Sequence, residues 1–355
     1  ELLAETRTAP ALSITWPLLR GAGKHAAADE RAARSDLVAS EWRARHEKRG
    51  LVHTAVQAHW RALAAAKRLE AVRLLEGHVA RSAEATAQLV ERGELAPLAG
   101  QEAEADLAFR RLEVGQARAA WLNARRDLAV ALGLETANVE ALPEAGGAFP
   151  RVVLLPADGG PDEALLIRGA IENRADIMML RQRVSSEDIR VAAALNGLLP
   201  EANFIVEQSG VRVRLAHSLR NSAAEGRLGA ARASENTVRV DLTLRLRQLQ
   251  TDVQTIVERL RLSGASYDLA LKTNTLLEGI ADDKARQSEL GPGGGGHLAA
   301  LAKLARMQRR IVDANLEYAA ALADLRLVTG GIEDDGGEAA AKRVAQQFLN
   351  LPAAR

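Results

Sequence analysis

The residues able to do chemistry in this 355-residue chain are few and scattered. There is no cysteine, which removes thiol nucleophiles, thiolate zinc sites, iron–sulfur ligation and disulfides together. Seven histidines remain for acid–base work or metal ligation: His25, His46, His53, His59, His78, His217 and His297. Only His53 and His59 lie close in sequence, and a spacing of six puts them on different helix faces. They read as surface or seam histidines. Ser185-Ser-Glu-Asp188 has hydroxyls and carboxylates without a nearby histidine to suggest a triad. The run Gly291-Pro-Gly-Gly-Gly-Gly296 lacks the Lys-Ser/Thr that follows a phosphate-cradling loop, and it reads as a flexible tip unable to hold a rigid helix. The residues therefore predict no enzyme activity, no cofactor and no metal site.

Composition narrows the class further. Hydrophobic residues make up 47% of the chain but aromatics only 3%, so the apolar content is mostly alanine and leucine. Forty-seven basic against 46 acidic groups leave a formal charge of +1, too weak a field to recruit nucleic acid. No apolar run reaches the roughly 18 residues of a spanning helix, so a bilayer crossing would have to use strands. The first residue is Glu and no basic stretch with an apolar region opens the chain, so any signal peptide is expected to be absent from it.

The elements that must position any site come in two copies. Ala124 to Gly133, with Asp127 and Leu128, recurs as Ala321 to Gly330, with Asp324 and Leu325. At the same offset of 197, Trp121 falls on Tyr318, Val114 on Ile311 and Leu107 on Leu304. Leu19-Arg20-Gly21 matches Leu219-Arg220-Asn221. Two related halves explain this. From Gly23 to about Arg92 there is no proline, and the only internal glycines are Gly50 and Gly77. One helix of roughly 100 Å is predicted there, with a counterpart from about Ser222 to Glu289. The second carries a heptad seam at Leu242, Leu246, Leu249, Val253, Ile256 and Leu260, and the first a smaller one at Leu51, Ala55, Ala58, Ala62, Ala65, Leu69 and Val72. Turns at Gly93 to Gly100 and Gly291 to Gly296 lead into shorter returning helices, Gln101 to Leu132 and Leu298 to Thr329. Val114, Ala117, Trp121, Ala124, Leu128 and Ala131 continue the 3/4 rhythm. A Pro/Gly-rich connection follows, with the apolar run Val152 to Leu155, and then a helix over about Asp162 to Leu199.

Strand candidates sit where the long helices begin. Leu12, Ile14 and Trp16 alternate with Ala11, Ser13 and Thr15, Phe204 and Val206 with Asn203, Ile205 and Glu207, and Val211, Val213 and Leu215 with Arg212, Arg214 and Ala216. This pattern suits a sheet greasy on one face and wet on the other, including a membrane barrel wall. Arg212 and Arg214 would then face the barrel lumen; read otherwise, they are loop or rim charges. Three short strands cannot close a barrel, so spanning requires several chains.

Trp16-Pro17-Leu18-Leu19-Arg20-Gly21-Ala-Gly23 resembles a recurring block of the TolC family of outer-membrane efflux proteins: a strand, Pro-Leu-Leu and glycine leading into a very long helix. Gly93, Ala131-Leu-Gly133, Asn173-Arg-Ala-Asp-Ile177 and Asn196 to Pro200 follow in the family's order, and the resemblance covers essentially the whole chain. It implies a mainly α fold with a small β part: a TolC-like trimeric α-helical barrel of very long antiparallel helices, a membrane β-barrel shared between protomers and a mixed equatorial belt. The division it implies is 1–22 and 200–221 for barrel strands and loops, and 23–133 and 222–330 for the two helical hairpins. To these it adds 134–161 for an equatorial connection, 162–199 for a short helix pair and 331–355 for an equatorial tail. The family's first half opens with a helix and strand that residues 1–10 are too few to supply, so an N-terminally incomplete chain is expected. The hairpin Pro200 to Leu219 is short for the family.

The resemblance also implies a function. It is a passive exit duct in the outer membrane of a Gram-negative-type envelope, a homotrimer whose helices stand in the periplasm. Its partners are a periplasmic adaptor protein, an inner-membrane pump and outer-membrane lipid, with no nucleic acid. The cargo would be small molecules, such as drugs or metal ions, or polypeptides. The turns at Gly93 and Gly291 become hairpin tips for adaptor docking and closure. Where the family often places an acidic residue, this chain has Ala99 and His297. Glu94, Glu102, Asp282, Asp283 and Glu289 lie near enough to substitute, or are solvated helix-end charges. A soluble coiled-coil scaffold or adaptor binding partner helices is the alternative that the heptads alone allow.

Overall fold

The computed structural model describes residues 13–136, 145–156, 161–207, 210–217, 221–289, 294–332 and 338–350. Strand β1 (Ser13–Pro17) and a single 3-10 turn (Gly23–His25) precede α1 (Ala28–Glu91) and α2 (Pro97–Ala131). Then come α3 (Glu163–Asn173), α4 (Ala175–Asn196), β2 (Glu201–Glu207) and β3 (Gly210–Ala216). The long α5 (Ser222–Glu289), α6 (Gly294–Val328) and the short α7 (Glu338–Gln347) complete the order. Leu12, residues 291–293 of the expected hairpin tip and the repeat residues Leu219 and Arg220 lie outside the described residues.

The duplication is visible element by element. Helices α2 and α6 each have 35 residues and sit 197 positions apart at both ends. Both close with the same cap. Gly133 takes φ +68° while its N–H donates to Val130 and that of Leu134 donates to Ala129. Gly330 takes φ +70°, with its N–H on Leu327 and that of Gly331 on Arg326. This left-handed closure satisfies the last helical carbonyls and selects glycine.

The structure corrects several expected details. The first long helix starts at Ala28 rather than Gly23, after the 3-10 turn. Its return begins at Pro97 rather than Gln101, because a first-turn proline has a preset φ and no N–H to waste. The stretch 162–199 is a pair of helices and not one, parted at Arg174, which adopts φ −74° and ψ 123° between α3 and α4. Gly294 to Gly296 form the first turn of α6, where N–H groups have no helical partner to lose. Leu51 is 69% exposed, and the half-buried neighbour Val52 takes its place against the core.

The chain divides into two compact units, residues 1–46 with 174–248 and residues 47–173 with 249–355. In the first, α4 lies beside the start of α1 and the start of α5. Ser186 donates to the Ala32 carbonyl, Arg190 pairs with Asp36, and Asp188 accepts from Arg239 at 2.8 Å. In the second, Leu249, Val253 and Leu260 are fully buried, and Ala58, Ala62, Ala65, Leu69 and Val72 of α1 are buried too. Leu75 and Val79 pack with Ala305, Leu298 and Leu301 of α6 and Leu107 of α2. Alanines along this seam let helices approach closely, since there is little side chain to hold them apart. The segment 145–156 runs across these helices without forming a strand: Phe149 stacks near Trp60, and the Val153 N–H donates to Tyr318 Oη at 3.1 Å. Gly264 of α5 lies beside it, where a Cβ would sit in ordinary contact 3.6 Å from the Val153 carbonyl oxygen.

Candidate functional site

The three strands form one antiparallel sheet in the order β1-β2-β3. Its register aligns the apolar residues across all strands: Ile14 opposite Val206 opposite Val211, and Trp16 opposite Phe204 opposite Val213, with Ala202 opposite Leu215 below. Because side chains alternate, each row lies on one face. Most of that face is bare, with Trp16 68% and Leu215 72% exposed, while Ala202 is buried. The opposite face carries Ser13, Thr15, Glu201, Asn203, Glu207, Arg212 and Arg214, together with Pro17, Ala216 and the buried Ile205. Arg212 and Arg214 thus stand opposite the greasy face, as the alternation predicts. Arg212 pairs with Glu207 at 2.6 Å, and Asn203 donates to Glu201 at 2.7 Å.

The junction from strand to helix is built by Asn196, the first residue of the Asn196 to Pro200 block. The Leu18 N–H donates to the Ala202 carbonyl at 2.7 Å and extends the ladder past Pro17. The Gly21 N–H then donates to Asn196 Oδ1 at 2.6 Å, with Gly21 in the left-handed region at φ +78°. Leu18 and Leu19 are left exposed. The Pro17, Leu18, Leu19 and Gly21 motif is therefore a hinge between sheet and helix, pinned to the C-terminal end of α4.

At the first hairpin turn, Gly93 adopts φ +76°, its N–H donating to Val90 and the Glu94 N–H to Leu89. Glu94 is exposed in the turn, while Ala99 and Glu102 lie in the first turns of α2. Gly291 lies outside the described residues. His297 is half-buried, its Nδ1 3.2 Å from the Ala281 carbonyl oxygen. Burial, then Arg81, then His297 lower the pKa of His78, so the two imidazoles are neighbours. Asp282 and Asp283 are exposed on α5, Asp283 3.9 Å from Arg286, and Glu289 is its last residue.

Two carboxylates tie helices together inside the units: Asp176 of the Asn173-Arg-Ala-Asp-Ile177 block and Asp324 of the repeated segment. Asp176 and Arg174, both about 95% buried, form a two-pronged pair at 2.9 and 2.7 Å, and Arg245 of α5 donates to the same carboxylate at 2.7 Å. Burial pushes the Asp176 pKa up, but the two guanidinium groups outweigh it and hold the carboxyl far below the usual range. Asp324 of α6 accepts from His53 at 2.8 Å and Gln57 at 2.7 Å on one oxygen, and from Arg259 of α5 at 2.8 Å on the other. Burial raises its pKa, and His53 and Arg259 lower it on balance. Among the described residues no three His, Asp or Glu side chains gather as a metal site, and no helix is long and apolar enough to cross a membrane.

No protein-family model matches the sequence, and no curated protein does. Solved structures do match. The Campylobacter jejuni CmeC outer membrane channel superposes with a TM-score of 0.74 at 14% identity, over 97% of this chain and 75% of that one. The chain has the TolC-like channel fold. The same TolC-like fold relates it to the outer membrane protein VceC of Vibrio cholerae, with TM-score 0.73, 16% identity and coverage of 90% and 79%. The Neisseria gonorrhoeae MtrE outer membrane channel in its open state also matches, with TM-score 0.61, 16% identity and coverage of 91% and 80%.

Proposed function

We propose that this chain is one protomer of a homotrimeric outer-membrane exit duct that passes small molecules or polypeptides outward. An inner-membrane pump drives them, and a periplasmic adaptor docks at the turns around Gly93 and Gly291. The observation that carries the reading is the sheet, whose bare apolar rows meet lipid while Arg212 and Arg214 line water. In lipid the outer edges of β1 and β3 need partners for every N–H and C=O, and the three described strands cannot close a barrel by themselves, which supports a barrel shared between copies. The helices point the same way. In α6, Tyr318, Ala321 and Leu325 are buried within the chain, whereas in its repeat partner α2 Trp121 and Ala124 are only half-buried and Phe109 and Leu112 are exposed. A neighbouring protomer would cover that face. The solved structures of the same fold are described as outer-membrane proteins or channels, which supports the membrane assignment.

The test is single-channel conductance of the detergent-purified protein in a planar bilayer, with oligomer mass measured first. A stable trimer giving discrete steps supports the duct. A soluble species that neither inserts nor conducts would replace it with the coiled-coil scaffold.

A further inference from the structure

The apolar face does not stop at the last row of the sheet. Because the Leu18 N–H continues the ladder onto Ala202, Leu18 keeps the alternation of Ile14 and Trp16 and extends the face toward the helices. Asn196 holds this loop against the end of α4 with two bonds, accepting from Gly21 and donating to the Leu19 carbonyl at 3.4 Å. Leu195 and Leu199, on either side of that anchor, are exposed as well, and residues 191–200 carry no charge. Immediately past the leucines stand Arg20 and Lys24, both exposed, with His25 beside them and no acidic residue before Asp29. The nearest acids are Asp29, exposed at the start of α1, Glu30, which pairs with Arg34 at 2.6 Å, and Glu201, which accepts from Asn203 on the opposite face of the sheet. An indole beside leucines that give way to basic side chains is the chemistry of a bilayer's edge, where rings sit at headgroup depth and cations meet phosphates.

We infer that the Trp16–Lys24 junction is a phospholipid-binding collar: Leu18, Leu19, Leu195 and Leu199 enter the acyl layer of the leaflet nearest the helices, and Arg20 and Lys24 bind its headgroup phosphates. The inference rests on the membrane reading above and adds a defined lipid contact to it. A net-anionic headgroup is preferred over a zwitterionic one, because two cations face it with no acid between them.

The test uses the full-length trimer and native mass spectrometry with phosphatidylglycerol, phosphatidylcholine or inorganic phosphate. Wild type and R20K/K24R should retain phosphatidylglycerol in preference to phosphatidylcholine. R20E/K24E should lose at least tenfold in phosphatidylglycerol retention while remaining trimeric and conducting. Inorganic phosphate should not compete, since it has no acyl chain for the leucines. Undiminished retention by R20E/K24E overturns the inference, as does full competition by inorganic phosphate. If that variant does not fold, wild type decides: retention unchanged between low and high salt refutes the headgroup contact, and a steep loss supports it. Wild type that conducts but shows no lipid preference sinks the collar alone, whereas failure to insert sinks the duct first.

Discussion

Removing the Asp176 carboxylate strands a buried charge, and the cost follows from its surroundings. Arg174 is 5% exposed, and its Nη1 already has no hydrogen-bond partner. Asp176→Ala leaves that guanidinium uncompensated, which costs about 3–5 kcal/mol where a buried pair is broken. Arg245 is 35% exposed on its side chain, and water largely replaces its share of the interaction. Asp176→Asn keeps the shape and one acceptor oxygen but not the charge, and should cost about 2–3 kcal/mol. For a chain of 355 residues melting cooperatively, at about 2 cal/mol/K per residue, the alanine variant should melt about 4–7 °C lower. Combining it with Arg174→Met removes the stranded charge and should recover at least half of the loss. Because the folded pKa of Asp176 is depressed, its contribution is complete above the ordinary carboxylate range and disappears only in stronger acid. The gap between wild type and Asp176→Asn in thermal unfolding should therefore stay constant from pH 8 to 5. Variants melting within 1 °C of wild type, or a gap that closes across that interval, would refute the reasoning.

Asp324→Asn should remove an acid-labile clamp between α1, α5 and α6: the depressed pKa means wild type loses this stability as pH falls below about 4, whereas the variant does not. Acid titrations followed by circular dichroism should show the two converging there, and parallel curves would contradict the clamp. Gly93→Val places a β-branched residue at φ +76° where a Cβ would meet no atom within 4 Å, so the cost is about 1–2 kcal/mol of backbone strain alone. Efflux in cells should fall more than thermal stability, and unchanged efflux would count against the tip reading. Leu249→Asp and Leu260→Asp bury a charge at fully enclosed seam positions and should abolish trimers in mass measurements. Normal trimers from both would refute the seam.

Much of the fold was legible along the chain because its signals are local. Proline-free stretches and 3/4 spacing predict the long helices, and the offset from Gly133 to Gly330 predicts two helices of equal length with the same glycine cap. Alternation alone separated Val211, Val213 and Leu215 from Arg212 and Arg214. What periodicity cannot encode is register and approach between segments far apart. Only the paired sheet aligned Trp16, Phe204 and Val213 into a row, and only packing replaced Leu51 with Val52, one position around the helix. Asn196 joins Gly21 across 175 residues, and Asp324 joins His53 across 271; a block and a repeat mark the two residues, but nothing in the spacing names their partners. The sequence by itself determined which faces are apolar and where helices stop, because neighbouring residues set both. The tertiary structure decided which polar groups those faces bring together, because a hydrogen bond depends on a few tenths of an ångström between chains that local spacing does not control.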